Sequence, residues 1–170
     1  MNELDLSIFV EFGVGLAGFS GVVVAFSSRS GELDEYDRFR VVQLLLSALI
    51  PAFFGLAPVI LAGFDLGADS VVRTMGAALM VALAANFTVA VATARGMSPS
   101  VRAKLSPGVW RLAISSSVLF FVWNGLNLAG WPRGVRLGPI VAGMAWFLFM
   151  ASVMFFRLLL VRLGEGDDGA

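Results

Sequence analysis

The chain has 170 residues, of which 58% are hydrophobic and only 14% are charged. An average soluble domain is about 25% charged, and a chain this short has too little interior to bury so much apolar surface. Acidic and basic residues number 12 each, so the formal net charge is zero and provides no field that attracts nucleic acid. The composition therefore indicates an integral membrane protein whose main partner is the lipid bilayer, with no nucleic acid as partner.

Two residue types that carry much of protein chemistry are absent from the sequence. There is no cysteine and no histidine, which excludes disulfides, thiolate catalysis, and the commonest metal ligand and general base. The apolar runs also hold no pair of carboxylates that would form a catalytic site. We therefore predict no catalytic residue, no metal site and no cofactor, and the sequence does not favour an enzyme.

Five apolar runs are long enough to cross a bilayer, which takes about 20 helical residues. Backbone groups in lipid must be bonded internally, and the runs lack the alternation of barrel strands, so we expect helices. We predict a single all-α transmembrane domain over residues 1–170, a compact bundle of about five helices with short loops and a flexible acidic tail at 164–170. Four spans with one re-entrant run is the alternative. The predicted spans are 6–27, 41–64, 71–94, 109–131 and 137–163.

The first run, 6–27, carries one acidic residue and many small ones. Acidic residues precede it, so we expect a retained span, because a secretory signal needs a basic start. Glu11 lies about five residues into the run, ~7.5 Å deep. An ionisable residue inside a bilayer usually faces a partner or a cavity, although this depth also allows contact with the headgroups. Gly13, Ala17 and Gly21 are spaced by four, which predicts a helix-packing face toward another helix or a second subunit.

The second run, 41–64, follows the longest polar connection. We expect Ser30 to cap a helix whose first turn is acidic, and we expect this helix to continue into the run. Pro51 and Pro58 lie inside the run. A proline removes a helical hydrogen bond and clashes with the preceding turn, so we expect a kink there.

The third and fourth runs contain polar residues that we expect in the same half of the membrane as the start of the first run. Arg73 lies near the start of the third run. Asn124 and Asn127 lie near the end of the fourth, on the same helix side as Ser117. The alternative is that the asparagines only hold helices together and that Arg73 extends to the interface. The predicted intramembrane polar cluster consists of Glu11, Arg73, Asn124 and Asn127.

The basic residues are distributed unequally between the two sides of a five-span bundle. The side of the N-terminus carries Arg73, Arg133 and Arg136. Because positive residues favour the cytoplasm, we predict the N-terminus outside and the C-terminus in the cytoplasm, in a bacterial plasma (inner) membrane. Some of the cytoplasmic basic residues form a collar that would alternatively bind anionic lipid. This collar consists of Arg38, Arg40, Arg95, Arg102, Lys104 and Arg111.

Two functional hypotheses follow from these features. The first is a small channel or transporter-type protein, a possible homo-oligomer, in which the cluster around Glu11 lines or gates a polar path. Such a path would have to continue through the other half of the membrane, where Gln43, Ser47 and Asn86 are the available polar residues. The second is an accessory or regulatory membrane protein that does not transport and binds partner helices through its glycine-rich first span.

Overall fold

The computed structural model describes residues 6–27, 35–131 and 134–165 of the chain. The expected Ser30 cap and residues 166–170 of the expected tail lie outside these ranges. Every regular element in the described part is an α-helix. The helices are α1 (Ser7–Ser27), α2 (Glu35–Ala62), α3 (Ala68–Gly96), α4 (Pro99–Ala103), α5 (Pro107–Leu128) and α6 (Gly138–Glu165).

Four helices of the described part are long and apolar enough to cross a membrane. They are Glu35–Ala62, Ala68–Gly96, Pro107–Leu128 and Gly138–Arg157. These helices confirm the all-α fold and fit an integral membrane bundle. Helix α2 begins before the predicted residue 41, because the charged residues that precede the apolar run continue the helix, as expected. Helix α1 also lies in its predicted run. The side chains of α1 are described only over Ser7–Val22, and this apolar segment is shorter than the four spans above.

Helices α1 and α2 pack antiparallel at very close range. A Cβ added to Gly13 would collide with the Ala48 carbonyl oxygen and lie 2.8 Å from the Ala52 Cβ. A Cβ added to Gly55 would lie 2.9 Å from the Leu6 carbonyl oxygen. Early residues of α1 therefore meet late residues of α2. Only glycine at both positions lets the two backbones approach this closely.

The predicted packing face of α1 is only partly turned toward the rest of the bundle. Gly13 makes the close contact with α2, and Ala17 is half-buried. Gly21 is exposed, and a Cβ there would meet no atom within 4 Å. Ser20 is instead fully buried, and its hydroxyl donates to the Leu16 carbonyl at 2.5 Å. The buried residues Phe9, Gly13 and Ser20 therefore mark the side of α1 that contacts α2 and α6.

The contacts of Gly76 show the relative directions of α3, α5 and α6. A Cβ on Gly76 of α3 would lie 3.0 Å from Leu128 at the end of α5 and 3.6 Å from Ile140 at the start of α6. Helix α3 is therefore antiparallel to α5 and parallel to α6. We call the half of the bundle where α1 begins the upper half, and the half where α6 ends the lower half.

The apolar core fills the upper half and the middle of the bundle. Large side chains from α1, α3 and α6 meet there, and α2 and α5 cover them with partly buried residues. The middle of the bundle and the interior of its upper half are therefore packed with hydrocarbon. The buried members of this core are Leu6, Phe9, Met75, Leu79, Leu83, Ile140, Met144 and Phe147.

Candidate functional site

Asn127 fastens the connection between α5 and α6 at the upper end. Its side-chain nitrogen donates to the Arg136 carbonyl at 2.8 Å, and its oxygen accepts from the Arg136 backbone N–H at 2.8 Å. Asn127 is 3% exposed, so both bonds form away from water. Gly130 and Gly134 adopt positive φ angles of 80° and 84° in the connection, which glycine tolerates without strain. Asn127 thus holds α5 and the loop before α6 together. This role corresponds to the alternative given above, in which the asparagines hold helices together.

Asn124 lies one helical turn before Asn127 and is fully buried. Its side-chain nitrogen donates to the Phe120 carbonyl at 2.9 Å and to the Pro139 carbonyl at 3.3 Å. Its side-chain oxygen is buried and accepts no hydrogen bond. The two asparagines therefore act together on the upper contact between α5 and α6.

Glu11 and Arg73 do not join the asparagines in a hydrogen-bonded network. Both side chains are exposed on the surface of the bundle. Neither has a hydrogen bond or an ion pair to any residue of the described part. The four-residue cluster around Glu11 therefore stays a prediction, and the structure brings only Asn124 and Asn127 of its members together.

A cavity opens in the lower half, between α2, α3, α5 and α6. The space within it that the centre of a water-sized sphere can occupy is about 90 Å³. The asparagines fasten α5 to α6 at the upper end, whereas in the lower half Ile114 and Ser117 of α5 face Met150 and Met154 of α6 across this space. The cavity reaches from the lower end of the bundle to about its middle, where the packed core begins.

One face of α2 supplies most of the polar lining. Arg40, Gln43 and Ser47 follow the i, i+3, i+7 spacing that places side chains on one side of a helix, and all three are buried and line the cavity. Pro51 has no N–H, so the Ser47 carbonyl lacks its helical donor.

Two buried side-chain atoms that border the cavity have no hydrogen-bond partner. They are Nε2 of Gln43, a donor, and Oδ1 of Asn86, an acceptor. A buried polar atom without a partner costs about 1–3 kcal/mol, and native proteins contain few of them. Asn86 comes from α3 and Gln43 from α2, and since the two atoms themselves expose almost no surface, they lie behind the wall of the cavity.

Arg40 is a buried cation with little local compensation. Its side chain is 7% exposed, and its Nη1 lies 3.4 Å from Oδ1 of Asp37, one turn earlier in α2. Its guanidinium carbon lies 5.1 Å from the centre of the Tyr36 ring, which adds a cation–π contact. A guanidinium has five N–H donors, so one long ion pair leaves most of them without a partner among the described residues.

Aromatic side chains form much of the wall. Trp146 stacks on Phe120 of α5 at 5.7 Å between ring centres and contacts Phe149 at 5.3 Å, which fixes its position at the deep end. Trp110 lines the cavity near its mouth, whereas Trp131, just after α5, is exposed. The cavity thus combines apolar walls with a few polar groups, the usual make-up of a small-molecule site.

The basic collar has more than one role at the lower end. Arg102 donates from Nε to the Ala94 carbonyl at 3.1 Å and from Nη2 to the Arg95 and Met97 carbonyls at 2.6 and 3.2 Å. It therefore caps the end of α3, where the last carbonyls lack helical donors. Arg40 is buried in the cavity, while the other members of the collar are exposed.

The start of α2 is tied to the connection after α3. A carboxylate oxygen of Glu35 accepts from the Ser98 backbone N–H at 3.3 Å and from its hydroxyl at 3.5 Å. Since Glu35 opens α2 and Ser98 follows α3, this contact braces one side of the cavity mouth.

The donor types around the cavity suit an organic ligand better than a metal ion. Within the described residues, no three His, Cys, Asp or Glu side chains come together as metal ligands.

Comparison of the chain with known protein families, with curated proteins and with solved structures gave no match. The case for a function therefore rests on the geometry of this cavity.

Proposed function

We propose that this is a carrier-type integral membrane protein whose solute-binding site is the cavity of the lower half. It crosses the bilayer five times, with the N-terminus outside and the C-terminus in the cytoplasm of a bacterial plasma membrane, so the cavity faces the cytoplasm. The observation that carries the proposal is the open cavity itself, whose wall holds buried Arg40, Gln43 and Ser47 on one face of α2.

The position of the cavity supports a carrier over a channel. Secondary transporters hold their substrate near the middle of the bilayer and open to one side at a time. Gln43 and Ser47 lie about 3 and 9 Å beyond residue 41, where the apolar run begins, at 1.5 Å per residue, so the polar lining extends into the lower half of the membrane. Above it the packed core leaves no polar path among the described residues. This arrangement corresponds to a carrier open to the lower side.

Uptake by purified protein in liposomes tests this proposal. The probes are three labelled solutes of different charge: benzenesulfonate, choline and glycerol. We expect saturable uptake of at least one of them, lost in Gln43→Leu because the apolar side chain removes a donor from the site. The control is Thr88→Val, which removes a hydroxyl on α3 that is exposed and bonds only the Ala84 carbonyl.

Two results would count against this assignment. Uptake of all three solutes at the level of protein-free liposomes would contradict the carrier. Uptake that survives in Gln43→Leu and disappears in Glu11→Gln would move the transport site to the cluster around Glu11.

A second candidate function is an accessory protein, or a homo-oligomer, joined through the outer face of α1. Glu11, Gly15 and Gly18 share one helix side at i, i+4, i+7 spacing and are exposed. A Cβ at Gly15 or at Gly18 would meet no atom within 4 Å. Small residues on an open face allow a second helix to approach closely, which supports this candidate.

A further inference from the structure

The charged residues that line the cavity are all cationic. Two of its described lining residues are cationic, Arg40 from α2 and Arg157 from α6, and none of them is acidic. The carboxylate nearest to Arg40, that of Asp37, does not line the cavity. A space bordered by low-dielectric walls and by cations alone favours an anionic occupant.

The cationic residues lie toward the mouth and the apolar ones surround the rest. Arg40 stands near the start of α2, and Arg157 is a half-buried residue near the end of α6, both at the lower end. Arg157 has no hydrogen bond or ion pair to the described residues. Deeper in the cavity, Phe147 and Met150 of α6 and Leu83 of α3 supply an apolar wall next to Trp146.

Polar side chains also line the inner part of the cavity. They are Gln43 and Ser47 of α2 and Asn86 of α3, which suit a further polar group on the ligand. The ligand would then place its charged group at the arginines and extend its apolar body inward.

We propose that the cavity binds an amphiphilic organic anion: a carboxylate, sulfonate or phosphate held by Arg40 and Arg157, with an aromatic or hydrocarbon body against Trp110, Trp146 and Phe147. This inference rests on the cavity named in the proposed function and adds the chemical class of its ligand. The planar, delocalised guanidinium of Arg40 matches the oxygens of all three anionic groups. The class includes both lipid headgroups with their chains and soluble organic anions.

A matched pair of fluorescent probes tests the class of ligand. 1-Anilinonaphthalene-8-sulfonate is an aromatic anion, and N-phenyl-1-naphthylamine has the same rings without the sulfonate. Purified protein in phosphatidylcholine nanodiscs is titrated with each probe, and empty nanodiscs are subtracted. Energy transfer from the four tryptophans of the chain reports binding to the protein, and the variants below assign it to the cavity. We expect the anion to bind at least tenfold more tightly than the neutral probe, because charge-assisted hydrogen bonds discriminate by about that much.

Variants assign the effect to the cavity. Arg40→Gln and Arg157→Gln each weaken binding of the anion about tenfold and leave binding of the neutral probe unchanged. The control is Arg111→Gln, which removes an exposed arginine next to Trp110 that does not line the cavity. If Arg40→Gln does not fold, Arg157→Gln and the ratio of the two probes in the wild-type protein decide the outcome.

Two competition arms separate the sources of the anion. Displacement of the probe when the nanodiscs contain phosphatidylglycerol supports a lipid occupant, and displacement by added octanesulfonate in phosphatidylcholine discs supports a soluble one. Equal affinity for the two probes, or unchanged anion binding in both arginine variants, overturns the proposal. Anion binding without any uptake in liposomes would refute the carrier and support the anion site. Uptake without a preference for the anionic probe would support the carrier and refute the anion site.

Discussion

At the residue scale, the buried polar side chains fall into two groups. Asn127 uses both its side-chain nitrogen and its oxygen in bonds to the Arg136 backbone, so its role is structural. Asn86, Gln43 and Asn124 each leave a buried polar atom unused, and of these Asn86 and Gln43 border the cavity. A polar side chain that is satisfied within the fold stabilises it, whereas a buried polar atom without a partner destabilises it.

This difference predicts opposite effects of two similar substitutions. Asn127→Leu removes two buried hydrogen bonds and leaves the Arg136 N–H and carbonyl without partners, which should lower the free energy of unfolding by about 1–3 kcal/mol. Asn86→Leu removes an unsatisfied oxygen, so stability should stay the same or rise. Unfolding in mixed detergent micelles measures both, and a larger loss in Asn86→Leu than in Asn127→Leu would contradict the assignment.

Sequence alone indicated part of this site. The spacing of Asn124 and Asn127 on one side of α5 was predictable, as was the presence of Gln43, Ser47 and Asn86 in the same half of the membrane. The spacing of Arg40, Gln43 and Ser47 was also visible in the sequence. It could not show that α5 separates from α6 in the lower half and opens a space there, because that depends on how helices distant in the chain pack.

At the scale of the helix, α1 presents two faces of different use. One face carries Gly13 and meets α2 at a distance that excludes any side chain. The other carries Gly15 and Gly18 and is open. The spacing of glycines in the sequence could not show which of them faces the bundle, because glycine and alanine recur on several sides of this helix. The predicted set of Gly13, Ala17 and Gly21 therefore mixes packed and open positions.

The two faces predict different consequences for a matched pair of substitutions. Gly13→Val drives a side chain into the Ala48 carbonyl and the Ala52 side chain, and overpacking of this kind should cost about 1–3 kcal/mol of stability. Gly15→Val meets open space and should change stability by less than about 0.5 kcal/mol. Unfolding in detergent measures the first effect. Native mass measurement tests whether Gly15→Val dissociates an oligomer, and a wild-type protein that is strictly monomeric would refute the homo-oligomer.

At the scale of the whole molecule, the two halves of the bundle differ. The upper half is a packed apolar core, closed at its end by the bonds of Asn127. The lower half holds the cavity, with its arginines toward the mouth. The sequence predicted the helices and their approximate bounds, because long apolar runs determine membrane spans. It placed the main polar site in the upper half around Glu11, whereas the cavity lined by Arg40, Gln43 and Asn86 lies in the lower half.

Three consecutive serines on α5 allow the most direct test of this account. Ser115 is exposed on the outside of the bundle, Ser116 is buried with its hydroxyl bonded to the Leu112 carbonyl at 2.6 Å, and Ser117 lines the cavity. The chain has no cysteine, so each Ser→Cys variant carries a single thiol. A charged, membrane-impermeant methanethiosulfonate reacts only with thiols that water reaches.

The measurement is the labelling rate of Ser115→Cys, Ser116→Cys and Ser117→Cys in inside-out vesicles and in intact cells. We predict rapid labelling of Ser117→Cys in the inside-out vesicles alone, with no labelling of Ser115→Cys because lipid covers it. Labelling of Ser115→Cys as fast as that of Ser117→Cys would contradict a bilayer around the bundle, and an unreactive Ser117→Cys would contradict a cavity open to water.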